Sequence, residues 1–296
     1  MSDFSSWGPT PSLGIKPELT AHGGSILSAV PGQDYDRISG TSMATPNMSG
    51  VSLLMRQYIV TELSHLVMTD GEIDNKKVTA LTYCLLMSTA DVVNNKNGLP
   101  YSVRKQGAGL ANLVSATETD AYIITYDKNG NAMDKTKIEL YDDPQKKGVY
   151  ELNFSVMNFG DKSLTYDIEY YVLTEGVSDT KTSHGETTVT ETAYKLNGAT
   201  VTINKVEGGI QQGDKITVEA GKTANIKMTI TLGDEDKKYL DESFKNGMYV
   251  EGFIRLNAVS GTEIDLGFPY LAFYGDWSKA PIFDLDYYAT NKDELD

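Results

Sequence analysis

Cysteine, histidine and tryptophan are scarce in this 296-residue chain, at one, three and two copies. A single cysteine excludes an intramolecular disulfide framework. Cys84 falls in the largely apolar run from Val78 to Met87, so it reads as a buried, inert thiol; a catalytic thiolate would need a matching histidine constellation, and none accompanies it. No apolar run reaches the ~20 residues that a helical membrane span requires. No charged-then-apolar leader opens the chain, and a chain that begins inside a domain would not carry one. Basic residues are outnumbered, 26 Lys and Arg against 41 Asp and Glu, for a net charge of −15. Residues 1–117 hold eight basic and nine acidic residues, a net of −1, which leaves −14 for residues 118–296. That surplus disfavours nucleic acid and anionic membrane surfaces as partners. Its plainest role is to keep an exposed β domain soluble.

Against this background the segment Gly40-Thr41-Ser42-Met43-Ala44-Thr45-Pro46 stands out. Apolar residues at Met48, Val51, Leu54, Met55 and Tyr58 follow it near helical spacing, which predicts a helix over about 42–60 with Ser42 in its first turn. Unpaired backbone N–H groups and the positive end of the helix dipole suit a place where negative charge develops on a substrate oxygen. Ser42 is therefore the candidate nucleophile. The alternative is an N-cap, since serine and threonine oxygens commonly satisfy free N–H groups at helix starts.

Context bears on the choice. Phe4-Ser5-Ser6-Trp7-Gly8-Pro9, Lys16-Pro17-Glu18-Leu19-Thr20-Ala21, Gly23-Gly24-Ser25-Ile26 and, downstream, Gln106-Gly107-Ala108-Gly109-Leu110-Ala111-Asn112 resemble in order and spacing the C-terminal part of the catalytic domain of subtilisin-like serine proteases. The resemblance covers about residues 1–117 and implies a partial α/β domain that hydrolyses peptide bonds through an acyl-enzyme on Ser42. In that family the catalytic order is Asp, His, oxyanion-hole Asn, then Ser. Three residues precede Phe4, so the first three members would lie upstream of Met1. A serine hydroxyl is a poor nucleophile without a base to take its proton. His22 stands where the family has proline in an Ala-Pro-Gly turn, His65 lies beyond the nucleophile helix, and His184 lies in the polar stretch 179–190 that reads as a surface loop. All three are expected to be structural or solvated, and the isolated chain is expected to be inactive. Asn47 replaces the histidine that usually follows the Thr-Pro pair, and Met43 beside the serine is an oxidation liability.

The second half changes period. Strand chemistry, with β-branched and aromatic residues alternating, predicts strands at 121–126, 149–156, 164–172, 215–218, 223–232, 248–256 and 263–273. Turn signals at Asn129-Gly130, Phe159-Gly160-Asp161, Gly208-Gly209, Asn246-Gly247 and Ser260-Gly261 separate them. About seven short strands argue for a two-sheet sandwich. The blocks from Asn246 to Ile254 and from Phe268 to Trp277 resemble the fibronectin type III-like domain that follows the catalytic domain in cell-envelope proteinases of the lactocepin type. This implies domains at 1–117 and 118–296, and a secreted or wall-attached bacterial parent that acts on protein or peptide substrates. The upstream part of the catalytic domain would be its physical partner. A non-catalytic scaffold module and a pseudoprotease stay open as other readings.

No cofactor or metal site is assigned. Asp127-Lys128-Asn129-Gly130-Asn131 resembles a calcium loop only superficially: Ala132 occupies the glycine position and Ile138 the twelfth. A hairpin turn explains it, and a short solvated helix explains the acidic run from Asp234 to Glu242. A second helix is expected at about 75–89 and short strands near 25–28. Without its upstream strands, the first part should expose apolar surface that a whole domain buries. Limited proteolysis of the chain is therefore expected to degrade residues 1–117 before residues 118–296.

Overall fold

The computed structural model describes residues 1–181, 187–259 and 263–279. The first part opens with a two-stranded antiparallel ribbon, β1 (Ile26–Val30) and β2 (Asp34–Ile38), that leads into the long helix α1 (Thr41–Thr61). A second ribbon, β3 (Met68–Thr69) with β4 (Glu72–Ile73), precedes α2 (Asn75–Ser88), α3 (Val103–Gln106) and α4 (Leu113–Glu118). Asp74 starts α2 by accepting the backbone N–H groups of Lys76 and Lys77, an Asx N-cap. Helix boundaries agree with the expectation within a residue or two.

The α/β expectation is met only in part. Among the described residues, no parallel sheet forms in this part. Its helices pack on one another instead, with Met55 and Ile59 of α1 buried against Val78, Leu81 and Leu85 of α2. Backbone bridges of Leu110 to Thr20 and to Asp91 tie three distant loops together. Gly107 makes this closure feasible. Its φ is +61°, and a Cβ there would sit 2.3 Å from the carbonyl oxygens of Pro17 and Glu18, far inside contact distance.

The rest is largely β. Its strands are β5 (Ala121–Thr125), β6 (Ile138–Asp142), β7 (Val149–Asn158), β8 (Leu164–Lys181), β9 (Thr187–Lys195), β10 (Thr200–Glu207), β11 (Ile210–Gln212), β12 (Lys215–Val218) and β13 (Thr223–Thr231). Helix α5 (Asp234–Ser243) then precedes β14 (Met248–Ala258) and β15 (Leu266–Tyr274). One sheet runs β10-β13-β7-β5; the other runs β11-β12-β8-β14-β15-β6, with β9 paired to the far end of β8. Every seam but one is antiparallel; β6 joins β15 in parallel. Tyr150, Leu152, Phe154 and Val156 of β7 and Ala224, Ile226, Met228 and Ile230 of β13 alternate inward, as period-2 strands with one covered face must. The Phe154 ring meets Phe268 of the opposite sheet at a 4.8 Å centroid separation.

In this β-rich part four strands have no counterpart in the sequence pattern, β6, β9, β10 and β11; in the first part β2, β3 and β4 have none. The polar stretch 179–190 is not wholly a loop, because β8 continues to Lys181 and β9 begins at Thr187. Cross-strand pairing such as Val177 with Val189 supports threonine-rich sequence that local hydrophobicity does not mark. His184 lies outside the described residues. The Asp127 loop is the hairpin turn expected: the carboxylate accepts the backbone N–H groups of Asn129 and Asn131, and Tyr126 bridges Ala132.

All nine residues of β15 are buried. Phe268, Tyr270, Ala272 and Tyr274 belong to the sandwich core, while Leu271 joins Phe253 of β14 in a cluster with Ile15 and Val103 of the first part. The first part thus covers the outer face of this sheet. Polar links frame the contact. Ser88 accepts the Ile123 N–H at 2.9 Å, Pro11 accepts the Trp277 indole N–H at 2.9 Å, and the Ile15 carbonyl accepts from Lys137 at 3.0 Å. Glu18 meets Lys135 at 2.7 Å and Lys137 at 3.7 Å.

Burial alone would raise the Glu18 carboxyl, but hydrogen bonds from Lys135 and Lys16 bring it down to about 2. A carboxyl held below its unfolded value adds stability above that value, and the contribution fades as pH falls toward about 2. Glu18→Gln is accordingly expected to destabilise the chain at pH 7, with the deficit narrowing once pH drops below about 4.5; urea unfolding at a series of pH values measures both.

Candidate active site

Helix α1 places Ser42 at its second residue. The residue that caps the helix is Gly40, and no side chain caps it. Ser42 is therefore not an N-cap. Among the described residues its hydroxyl makes no hydrogen bond, and neither does its backbone N–H, whereas the next two N–H groups, of Met43 and Ala44, turn back to the Gly40 carbonyl at 3.0 and 3.4 Å. The side chain is exposed. A free hydroxyl beside a free N–H at the positive end of a 21-residue helix is an arrangement able to receive an oxyanion. Pro46 inside the helix removes the N–H that would bond to the Ser42 carbonyl.

The glycine that shapes this turn is not the one in the motif. Gly40 is extended, with φ 161° and ψ 163°, and a Cβ there would find ordinary contacts. Gly23 is the tight position: a Cβ would lie 2.7 Å from the Gly40 carbonyl oxygen and 3.2 Å from the Ala44 Cβ. Its own carbonyl accepts the Gly40 N–H at 2.8 Å. Gly23 thus lies flat against the helix start, a contact that the pattern around Ser42 alone does not reveal.

A cleft of about 970 Å³ opens beside this turn, walled by Phe4, Leu19, His22, Ala44, Met48 and Leu86 among others, with Ser42 outside its lining. His22 and His65 are exposed and, among the described residues, make no hydrogen bond. His65 follows the far end of α1, and 21 residues at 1.5 Å each put it roughly 30 Å along the axis. Among the described residues no carboxylate or lysine bonds to Ser42 either. Leu54, read as part of the buried stripe, is 53% exposed, and Leu53 is 68% exposed. These residues share a side of α1 that α2 does not reach. Tyr35, on the free-standing ribbon before the motif, is likewise 68% exposed.

Other candidates resolve simply. Among the described residues no cluster of three or more His, Cys, Asp or Glu side chains could hold a metal ion, and no helix is long and apolar enough to cross a membrane. Cys84 is buried, and burial pushes its thiol up to about 11. A thiol-specific colorimetric reagent is expected to leave Cys84 unmodified in the native chain and to react with one equivalent after denaturation.

Comparison with known proteins places these features in a family. Residues 1–109 match the profile of the subtilase family, and residues 138–271 match that of an Fn3-like domain. The PI-type proteinase of Lactococcus lactis subsp. cremoris is 31% identical over 290 residues, covering 96% of this chain and 14% of that protein. The PII-type proteinase of Lacticaseibacillus paracasei gives the same identity and coverage. The C5a peptidase of Streptococcus pyogenes serotype M18 is 28% identical over 309 residues, covering 100% of this chain and 24% of that protein. The chain thus spans between about a seventh and a quarter of the length of these relatives. With subtilase sequence leading into an Fn3-like domain along one continuous match, the chain belongs to the subtilase family, in its cell-envelope proteinase branch.

Proposed function

We propose that this chain is the nucleophile-bearing portion of a secreted or wall-attached subtilisin-like serine endopeptidase, divided near residue 117 into a subtilase part and a β-sandwich. The observation that carries the reading is Ser42 itself: hydroxyl and N–H both free at the start of α1, on a motif shared with peptidases. In the assembled enzyme a histidine from outside this chain takes the Ser42 proton as its oxygen attacks the peptide carbonyl. The resulting oxyanion is held by the Ser42 N–H and by a side-chain amide, also from outside this chain. The amine leaves with the proton, and water then releases the acyl group by the same route. The substrate is a protein or peptide. No cofactor takes part.

Alone, the chain is inactive on this reading, because no described histidine bonds to the hydroxyl. The exposed Leu53 and Leu54 of α1 and Tyr35 of the ribbon form the surface on which the upstream part of the catalytic domain docks. Apolar side chains left exposed around one element are the groups a contact face would cover. The sandwich serves as a brace, since β14 and β15 carry the first part on their outer face.

Two measurements test the proposal. The isolated chain is expected to show no turnover of a peptide ester; turnover that vanishes in Ser42→Ala would overturn the inactivity. In the full-length parent, a serine-reactive phosphonate is expected to label Ser42, and Ser42→Ala to lower kcat by on the order of 10⁶-fold. An unlabelled Ser42 in a folded parent would favour the pseudoprotease reading.

A further inference from the structure

Where the subtilase part meets the sandwich, one guanidinium is shared by two buried carboxylates. Arg104 of α3 is 6% exposed, Glu251 of β14 is 2% exposed and Glu175 of β8 is 6% exposed. Arg104 Nε and Nη2 both reach Glu251, at 3.2 and 3.3 Å, and Nη2 also donates to Glu175 Oε1. The guanidinium lies 4.2 Å from the Tyr249 ring centroid and 5.7 Å from that of Trp7. Aromatic and apolar cover removes the water that would otherwise hydrate the acids.

Both carboxylates draw on the same guanidinium for their ion pair. Facing Glu175 are Arg104 and Lys105 from α3, Glu251 and Tyr249 from β14, and Tyr239 from α5, whose hydroxyl donates to the Glu175 backbone carbonyl at 3.0 Å. Tyr239 is stacked in turn on Tyr194 of β9. The tyrosines are neutral. The Lys105 ammonium adds a second positive charge to the surroundings of Glu175 and sits 3.8 Å from the Trp7 ring centroid. Glu251 holds the guanidinium through both oxygens, while Glu175 has one contact with it. Glu175 therefore carries the less compensated negative charge.

We propose that this seam is an acid-tightened clamp, closed by proton binding at Glu175. A protonated carboxyl keeps an oxygen that accepts from Arg104 Nη2, so the bridge persists while one buried charge is removed. Burial pushes the Glu175 carboxyl up, further than Arg104 pulls it down. The native chain then holds a proton at pH values where the unfolded chain has released it. Stability from this group is fully present below the ordinary carboxylate range and declines as pH rises through the raised value. The direction is opposite to that of Glu18 at the other side of the same seam, so the contact between the two parts gains hold in mild acid before it loses any.

The test is a titration of the whole chain from pH 4 to 8, following glutamate side-chain carboxyls by carbon-13 NMR, together with urea unfolding of wild type and Glu175→Gln. One carboxyl is expected to titrate above the ordinary range and to be the signal missing in the variant. Within that titration the wild-type folding constant is expected to fall by up to about tenfold per pH unit relative to Glu175→Gln. Titration of every glutamate within the ordinary range, or the same pH slope in the variant, would overturn the clamp. Should Glu175→Gln fail to fold, through-bond assignment of the Glu175 carboxyl in wild type lets the titration decide alone.

Discussion

Burial of the β14–β15 sheet on both faces is the constraint from which the rest of the structure follows. A strand with one wet face alternates apolar and polar residues; β15 reads Leu-Gly-Phe-Pro-Tyr-Leu-Ala-Phe-Tyr, with no polar break, and every residue is covered. Its inner residues close the sandwich. Leu271, with Phe253 alongside, packs against Ile15 and Val103 of the first part. At roughly 25 cal/mol per Å² of apolar surface removed from water, a patch of four such side chains favours docking by several kcal/mol. The sandwich and the subtilase part are therefore held as neighbours by the same effect that builds each core.

Around this apolar centre the polar groups specify how the parts meet. The cluster of Glu18 with Lys135 and Lys137 and the cluster of Arg104 with Glu175 and Glu251 are both assembled from the two sides of the seam. Buried ion pairs add little net stability over apolar packing, because desolvation offsets much of the attraction. An unpartnered buried charge, however, is strongly disfavoured. These clusters thus fix register: a shifted docking would strand Arg104 among aromatic rings without its acids.

The first part has a second, contrasting side. Where α1 faces α2 it is packed, and where it faces away its leucines are bare. A lone 21-residue helix with such a side is stabilised by what it packs against more than by its own propensity. Ser42 lies in the exposed first turn of this helix. That location accounts for an exposed hydroxyl, a free N–H and the lack of any base among the described residues.

Both long helices, the first ribbon strand and seven strands of the sandwich are legible in the residues, because helical and strand periods are local properties. The α1 stripe was legible down to Met55, yet Leu54 was misplaced, since one step along a helix turns a side chain by about 100° and only the neighbour decides which side is covered. Strand β9 escaped because its support comes from pairing with β8, not from its own hydrophobicity. Gly23 was quoted for its place in a motif, but its steric role emerges only when Gly40 and Ala44 are laid against it. Arg104 drew no notice at all, being separated by 71 and 147 positions from the acids that bind it. Sequence by itself determined most of the elements and the motif that carries the Ser42 hydroxyl; tertiary structure alone decided which charges share one buried space and which apolar faces stay bare, because burial and Coulomb attraction depend on distance in space and not on separation along the chain.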